Sequence, residues 1–289
     1  MAVRPVFSVD SDFPFYRRRE IEFTYHQGFA TVQKQKNIAA IHTEYKIQYP
    51  EEKVLEISSK SMQEGGVGLS AFNLLTRVSS LNQRIPVETV YQAGKVFAGG
   101  GPYTDLMTMK PKDAKRDERL KTSGPFIGYE FEGEAIPTDP TNLFYDWLYI
   151  RALIEEENRK LAAILESYDA FTDIEFNPNK SLNSQARAAA IYISLKRADL
   201  LEQTEQIEDF RRLITGKIYA EEKKKGEKKK PEAGRFNIDS LKQGDTIVHP
   251  KFGEGRVTEI KGNIVMVAFR TDDKKLSLDF VKRHCEKKS

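Results

Sequence analysis

A lysine-rich segment at residues 220–234, AEEKKKGEKKKPEAG, is the clearest candidate for a boundary between two domains of this chain. It holds six Lys, four acidic residues, two Gly and one Pro, and it has no large apolar side chain. Such a segment cannot offset the entropy lost on ordering by burying apolar surface. We therefore predict a linker at residues 217–236 between domains at residues 1–216 and 237–289. The lysines of this segment can be explained by the need to keep a linker soluble and the two domains apart. The alternative is that they attract the phosphates of a partner.

Charge is distributed unevenly between the two parts. Residues 217–289 contain 19 Lys and Arg against 12 Asp and Glu, whereas residues 1–216 contain 27 against 31. Because residues 1–216 carry a net negative charge and residues 217–289 a net positive charge, the second part is expected to bind an anionic partner. The chain as a whole is 39% hydrophobic and 31% charged, which allows it to bury a core and excludes a wholly disordered protein.

Cysteine content and hydropathy exclude further classes. Cys285 is the only Cys, so no intramolecular disulfide can form, and one Cys with four His disfavours a structural zinc site. No stretch has the roughly 18 consecutive apolar residues that a membrane helix needs. The N-terminal residues MAVRPVFSVD lack the apolar centre of a signal peptide. We therefore expect a protein of a reducing, cytoplasmic setting that has no membrane partner.

The hydrophobic pattern predicts an α+β fold, mostly helical, without the regular alternation of a βαβ array. Helices are predicted at residues 30–48, 86–98, 112–121, 141–167, 181–201 and 205–214. Strands are predicted at residues 21–25, 54–58 and 126–131. After the linker, short strands separated by turn residues are predicted at residues 246–249, 256–260, 263–269 and 275–278. These short strands indicate a small all-β SH3-like or Tudor-like barrel.

The segment PVETVYQAGKVFA at residues 86–98 is the most informative one for function. If it forms one helix, Glu88, Gln92 and Lys95 lie at i, i+4 and i+7 and share a face. A solvent-facing stripe of helix-stabilising pairs would explain this pattern. The alternative is that the stripe forms one wall of a pocket. Gly94 favours the pocket, because a small residue inside a helix allows close approach of a ligand or of a neighbouring segment.

Two loops and one charged helix carry groups that bind phosphate oxygens. The hydroxyl- and amine-bearing loop after the second predicted strand consists of Ser58, Ser59, Lys60 and Ser61. Residues 99–105, GGGPYTD, follow the polar stripe directly. Exposed backbone N–H groups, hydroxyls and Lys suit phosphate, but ordinary turns have the same composition and neither loop matches a P-loop or a dinucleotide fingerprint. Lys115 and Arg119, at i and i+4, form either a solvated face or a clamp for a diphosphate or a nucleic-acid backbone.

Aromatic and acidic residues cluster in two further segments. Residues 144–149, FYDWLY, contain four aromatics including Trp147, and they either pack in the core or offer a stacking platform for a base. Residues 171–178, FTDIEFNP, alternate between apolar and polar, so Asp173 and Glu175 share one face if the segment is a strand. Two neighbouring carboxylates suit acid–base chemistry or the binding of ribose hydroxyls.

Taken in order, these strings resemble the NADAR (YbiA-like) domain. The strings are QKQK, EISSKS, SAFNL, KVF, GGPYTDL, KRDERL, FYDWLY and FTDIEFNP. The domain typically has a helix with Glu, Gln and Lys at the spacing of Glu88, Gln92 and Lys95, and an Ala-Lys-Arg-x-x-Arg element like residues 114–119. The resemblance covers roughly residues 3–214 and is strongest to an antitoxin subfamily associated with phage defence. That subfamily is paired with a DNA ADP-ribosyltransferase toxin that modifies guanine.

The resemblance implies a glycohydrolase, working without metal or cofactor, that removes ADP-ribose from the exocyclic amino group of guanine in DNA. ADP-ribosylated DNA and the cognate toxin are the implied partners. Lys95 becomes the nucleophile, with a Schiff base to the opened ribose as one variant, or an electrostatic group. The carboxylates that could stabilise the oxocarbenium-like sugar or activate water are Glu88, Asp105, Asp173 and Glu175. The groups implied to bind diphosphate, ribose or base are Ser58, Ser59, Lys60, Ser61, Asn73, Gln92, Tyr103, Lys115, Arg119, Trp147 and Asp173.

The second domain carries a different resemblance. Residues 244–257, GDTIVHPKFGEGRV, resemble the Tudor-like C-terminal module of UvrD- and PcrA-type helicases, which is implicated in binding RNA polymerase. RNA polymerase or nucleic acid is therefore the implied partner of this barrel. Two alternatives to an enzyme stay open. One is a non-catalytic antitoxin that binds the toxin directly, and the other is an adaptor that binds the toxin, DNA or RNA polymerase.

Overall fold

Two compact units make up the chain, Met1–Glu221 and Glu222–Ser289. The structure, a computed structural model, describes residues 1–179, 181–216, 241–249, 252–262, 264–269, 273–277, 281 and 285–288. The predicted linker at residues 217–236 lies outside the described residues. Within the described ranges no helix is long and apolar enough to cross a membrane.

The first unit intersperses helices with short strands. Its helices are α1 (Thr31–Gln48), α2 (Glu64–Gly68), α3 (Val87–Ala93), α4 (Pro111–Ala114), α5 (Arg119–Thr122), α6 (Leu143–Ile154), α7 (Arg159–Leu165), α8 (Gln185–Arg197) and α9 (Ile207–Ile214). Its strands are β1 (Ala2–Ser8), β2 (Arg17–Phe23), β3 (Val54–Glu56), β4 (Leu75–Val78), β5 (Gln83–Pro86), β6 (Lys95–Phe97), β7 (Phe126–Phe131), β8 (Glu134–Ile136) and β9 (Ala170–Thr172). Short 3-10 helices lie at Ser79–Leu81, Thr104–Thr108, Glu156–Asn158 and Leu201–Thr204.

The largest sheet of this unit has the strand order β2-β1-β9-β3. β1 pairs antiparallel with β2 and β9, whereas β3 pairs parallel with β9. Successive side chains of a strand point to opposite faces. Accordingly, Val6 of β1 packs on one face of the sheet, in a core with residues of α1. Phe7 packs on the other face, in a core with residues of α8. Helices therefore cover both faces of the sheet. The strands β4 and β5 pair with each other, and β6, β7 and β8 form a third sheet.

Two helices form the centre of the first unit. Every residue of α6 except Arg151 and Ile154 is buried, because the helix is apolar on nearly all sides. α8 is buried from Gln185 to Leu195, and its alanines let it pack closely against α6, β1 and β9. Trp147 of α6 is 7% exposed, and its indole N–H donates to the Thr204 carbonyl at 2.9 Å. The aromatic segment around Trp147 is thus mainly core.

The mixture of helices and strands confirms the α+β class, but the prediction of a mostly helical domain is wrong. The strands that the pattern did not reveal are β1, β4, β5, β6 and β8. Most of them have only three or four residues, too few for an alternation to be seen. β1 is longer but contains Pro5, which argues against a strand in sequence. The structure accommodates Pro5 because β9 pairs with β1 only at Phe7 and Ser8.

The second unit contains an antiparallel sheet. Its strands are β10 (Thr246–His249), β11 (Gly253–Lys261), β12 (Ile264–Phe269), β13 (Asp273–Ser277) and β14 (Glu286–Lys288). They follow the order β13-β12-β11-β10-β14. In the part of this unit that is described, β13 and β14 are the two edges and do not pair, so the sheet is open and the predicted closed barrel is not found. Its core includes Ile247, Val257, Val265 and Val267.

Candidate active site

A cavity of about 660 Å³ opens in the first unit and gathers residues from distant parts of the chain. α3, β6, β7, α6, the segment after β9 and the start of α8 contribute to its wall. The sequence-predicted residues that line it are Glu88, Gln92, Lys95, Lys115, Asp173 and Glu175. They supply three carboxylates, two amines and one amide. The polar stripe is therefore part of a pocket wall, as one of the two interpretations of residues 86–98 expected.

The stripe reaches the cavity through a different local structure from the one predicted. α3 ends at Ala93, and Lys95 begins the strand β6. Gly94 at the junction packs tightly: a Cβ there would lie 2.8 Å from the Glu130 carbonyl oxygen and 3.1 Å from the Phe144 ring. The Glu130 N–H donates to the Gly94 carbonyl at 2.8 Å. The absence of a side chain at Gly94 therefore allows β7 to pack directly against this position. Here the helix α3 ends and the strand β6 begins, immediately before Lys95.

Glu88 is the anionic centre of this wall. It is 4% exposed, although it is a carboxylate on the first turn of α3. Gln92 Nε2 donates to its Oε1 at 2.8 Å, and Lys115 Nζ lies 3.0 Å from the same oxygen. A buried carboxylate needs such partners, because an unpaired charge in the interior is strongly disfavoured. The pair with Lys115 crosses from α3 to the segment after α4.

Lys95 is half-buried and lies close to an aromatic ring. Its Nζ is 4.9 Å from the centre of the Tyr91 ring, at a distance typical of cation–π contacts. Burial lowers the pKa of Lys95 to about 8; the nearby Glu88 opposes this shift and Lys115 adds to it. A larger share of this amine is therefore neutral near pH 7 than in an exposed Lys, which is what a nucleophilic amine requires.

Asp173 and Glu175 enter the cavity from a turn and not from a strand. β9 ends at Thr172, and Asp173 Oδ1 accepts the N–H groups of Glu175 at 3.1 Å and Phe176 at 3.2 Å. Burial raises the pKa of Asp173 to about 8, and the carboxylate of Glu56 adds to the shift. Glu175 is exposed and pairs with Lys34 at 3.5 Å. The two carboxyls thus differ: one is held in its acid form near neutral pH, and the other faces solvent.

Aromatic and amide side chains complete the wall. The Tyr91 and Tyr129 hydroxyls are hydrogen-bonded at 2.7 Å, and Asn183 Nδ2 donates to the Tyr91 hydroxyl at 2.6 Å. The centre of the Phe72 ring lies 5.4 Å from Lys115 Nζ. Sequence reasoning missed these residues. Tyr91 was detectable, since it lies on α3 within one turn of Glu88, but Tyr129 and Asn183 come from segments that only the fold brings to α3.

The predicted phosphate loop and Asn73 are not among the lining residues. Ser58 is fully buried, and its hydroxyl accepts the N–H of Lys60 at 3.1 Å, while Ser61 accepts the N–H of Gln63 at 3.2 Å. These hydroxyls therefore stabilise a tight turn. Ser59 is exposed and Lys60 half-buried in that turn. Asn73 is exposed and donates to the Val67 carbonyl at 2.9 Å.

A second cluster holds the remaining predicted residues away from the cavity wall. Arg119 lies 2.7 Å from Asp105 and 2.9 Å from Asp117, and its guanidinium is 4.6 Å from the centre of the Tyr103 ring. The Tyr103 hydroxyl bonds to Ser123. The predicted helix at residues 112–121 is interrupted after Ala114, so Lys115 and Arg119 do not share a helical face. Trp147, described above, is also outside the cavity.

Comparison with models of protein families gives a match over most of the chain. The family model described as "DarT1-associated NADAR antitoxin" matches residues 2–224. This range includes every residue that lines the cavity. A search of curated proteins finds no match to the chain. Among the described residues, no group of three or more His, Cys, Asp and Glu side chains is arranged to hold a metal ion.

Proposed function

The chain belongs to the family of DarT1-associated NADAR antitoxins, and from this premise we propose that it is a glycohydrolase that removes ADP-ribose from guanine bases of DNA. Membership makes it an antitoxin with a cognate toxin as partner. The proposed reaction reverses the toxin's modification and needs no stoichiometric complex between the two proteins. The observation that carries the proposal is the cavity in which Glu88, Lys95 and Asp173 meet.

The chemistry of the bond suits these three side chains. The bond joins the anomeric carbon of ribose to the guanine amino nitrogen, and its cleavage develops positive charge on the sugar. Asp173, protonated near neutral pH, would donate its proton to the departing guanine nitrogen. Glu88, anchored by Gln92 and Lys115, would stabilise the cationic sugar.

Lys95 supplies the nucleophile in this scheme. Its neutral amine would bond to the anomeric carbon as the bond to guanine breaks, and ring opening would give an imine between Lys95 and ADP-ribose. Water would then hydrolyse the imine, releasing ADP-ribose and restoring the amine. The lowered pKa of Lys95 supports this role, because only the unprotonated amine has a free electron pair.

The proposal is tested with DNA that carries ADP-ribose on guanine. We expect purified protein to release free ADP-ribose and to restore unmodified DNA, and Lys95→Ala to lower the rate roughly a thousandfold or more. Lys160→Ala is the control, since this exposed Lys of α7 lies outside the cavity, and it should keep its activity within about twofold. Borohydride should trap ADP-ribose on the wild-type protein and not on Lys95→Ala.

Two results would overturn the proposal. One is that the modified DNA keeps its ADP-ribose when it is incubated with the folded wild-type protein. The other is protection of toxin-expressing cells by Lys95→Ala as fully as by wild type, which would assign neutralisation to direct binding of the toxin.

A further inference from the structure

Glu56 is a buried carboxylate that does not line the cavity. It is the last residue of β3 and is 2% exposed. Its partners are neutral donors: the Thr172 hydroxyl at 2.6 Å, the Ile174 N–H at 2.9 Å, and the Ser58 hydroxyl. Burial raises the pKa of Glu56 above that of an ordinary Glu, and the hydrogen bonds from Ile174, Ser58 and Thr172 oppose this shift by stabilising the ionised form.

The contacts of Glu56 enclose one residue of the cavity wall. Thr172 and Ile174 are the two neighbours of Asp173 in the chain, and Glu56 binds both of them with its two oxygens. Parallel pairing of Glu56 with Thr172 adds a backbone constraint. Asp173 therefore lies at the tip of a turn that Glu56 holds on each side, and the backbone of this turn cannot move away from the cavity wall without breaking these bonds.

A third residue fixes the direction of the hydrogen bonds. The Thr172 hydroxyl has one proton, which it donates to Glu56, so it accepts from His42 Nε2 at 2.8 Å. Burial, with Lys46 nearby, lowers the pKa of His42 to about 4, so its ring is neutral and carries its proton on Nε2. The donor chain from His42 through Thr172 thus ends on Glu56 as the acceptor.

Negative charge is better accommodated on Glu56 than on Asp173. The N–H bond that Glu56 accepts from Ile174, at 2.9 Å, is shorter than the two N–H bonds that Asp173 accepts, at 3.1 and 3.2 Å. Glu56 also accepts two hydroxyls, from Thr172 at 2.6 Å and from Ser58, whereas Asp173 accepts one further bond, from the Gln185 side chain. Shorter hydrogen bonds to an anion are the stronger ones. When two carboxyls lie close in a buried site, the one with the better donors ionises first and the other retains its proton.

We propose that Glu56 is a positioning residue of the cavity: it holds Asp173 in place through both chain neighbours and, by its own negative charge, keeps the Asp173 carboxyl protonated. This inference rests on the proposed function for its effect on the reaction. The titratable and charged groups that act on Asp173, directly or through its neighbours, are Glu56 from β3, His42 and Lys34 from α1, Tyr145 and Tyr149 from α6, and Glu175 from its own turn. Of these, Glu56 is the buried anion that binds both sides of the turn.

The experiment follows the titration of Asp173 itself. With carboxyl-¹³C aspartate, the Asp173 signal is assigned by its loss in Asp173→Asn, and its midpoint is compared between wild type and Glu56→Gln. The amide of Gln can still accept from Thr172 or Ile174 but carries no charge. We expect the midpoint to fall by about one pH unit or more. Exposed Glu64→Gln is the control and should leave it unchanged.

Activity gives a second readout. In Glu56→Gln the alkaline limb of kcat/KM should move to lower pH by the same amount, whereas a merely structural role would lower kcat/KM at every pH without moving the limb. Thr172→Val, which removes the donor to Glu56, should shift the midpoint in the same direction by less, and it serves if Glu56→Gln does not fold. An unchanged Asp173 midpoint in the folded variants would overturn the inference. If the midpoint shifts but wild type releases no ADP-ribose, the proposed function fails and the control of Asp173 by Glu56 stands.

Discussion

Lys95 and Asp173 face one cavity with pKa values that burial has moved toward each other, both to about 8. The proposed reaction needs the neutral amine and the protonated acid at the same time. Its rate should therefore rise with pH as Lys95 loses its proton and fall as Asp173 loses its own. We expect kcat/KM to have a narrow maximum near pH 8. A profile that stays flat across that range would remove at least one of the two from these roles.

Asp173 should also make the stability of the fold depend on pH. Its pKa is about 8 in the folded state against 3.8 for an ordinary Asp, so between these values the folded state binds more protons than the unfolded chain. The free energy of unfolding then decreases as pH rises through this window. Asp173→Asn keeps an oxygen for the turn and removes the titration. We expect its Tm to exceed that of wild type by several degrees at pH 8 and to match it near pH 4.

At this scale the sequence predicted the site in part. Periodicity placed Glu88, Gln92 and Lys95 on one surface, and all three line the cavity, although the helix ends before Lys95. The three side chains line one cavity although Lys95 belongs to a strand and not to the predicted helix. The chain turns at Gly94, and Lys95 still lies on the side of α3 that carries Glu88 and Gln92. Lys34 and Glu56 lie in the strings QKQK and EISSKS, but the sequence could not predict their contacts, since these are with residues more than a hundred positions away.

Among the elements, the junction of α3 and β6 is the most sensitive to substitution. Gly94→Ala would place a Cβ 2.8 Å from the Glu130 carbonyl oxygen, so β6 and β7 would have to separate. Such overpacking costs about 1–3 kcal/mol, and it would also displace Lys95, so we expect a lower Tm and a lower rate. Gly128→Ala on β7 is the matched control, because its Cβ would meet only a Thr138 methyl at 4.0 Å. Equal effects of the two changes would show that space at Gly94 is unimportant.

Element boundaries were harder to predict than element types. Residues 141–167, predicted as one helix, form α6 and α7 with a 3-10 turn between them. The segment at residues 171–178, considered as a possible strand, is a strand only as far as Thr172. In the second case the Asp173 carboxyl bonds to the backbone N–H groups of the next residues and replaces a strand pairing. Asp commonly makes such turns, but the alternating pattern of the segment favoured a strand.

For the whole molecule, the division into two units makes a simple prediction. The cavity and all but three residues of the family match lie in the first unit, so a chain ending at residue 221 should fold cooperatively and hydrolyse its substrate as fast as the full chain. Thermal unfolding and ADP-ribose release measure the two properties. A truncated chain that folds but has lost activity would show that the second unit takes part in catalysis. The sheet of that unit would then need to be probed for contacts with nucleic acid.

The sequence predicted the α+β class, because segments with helical and with strand periodicity both occur in the chain. It did not predict the proportion of strand or the open C-terminal sheet. Strands of three or four residues carry too little pattern to be recognised, and whether a sheet closes depends on which edges meet.

The ion pair between Lys115 and Glu88 has a consequence for the order of events in the cavity. Lys115 is anchored to Glu88 at its amine while about half of its side chain stays in solvent. A single ammonium cannot fully neutralise two anions that approach from different sides. A phosphate that recruits Lys115 would therefore leave Glu88 with Gln92 as its remaining close donor, and with its charge directed at the sugar. In the proposed reaction, binding of the substrate's diphosphate at Lys115 would therefore strengthen the action of Glu88 on the cationic sugar.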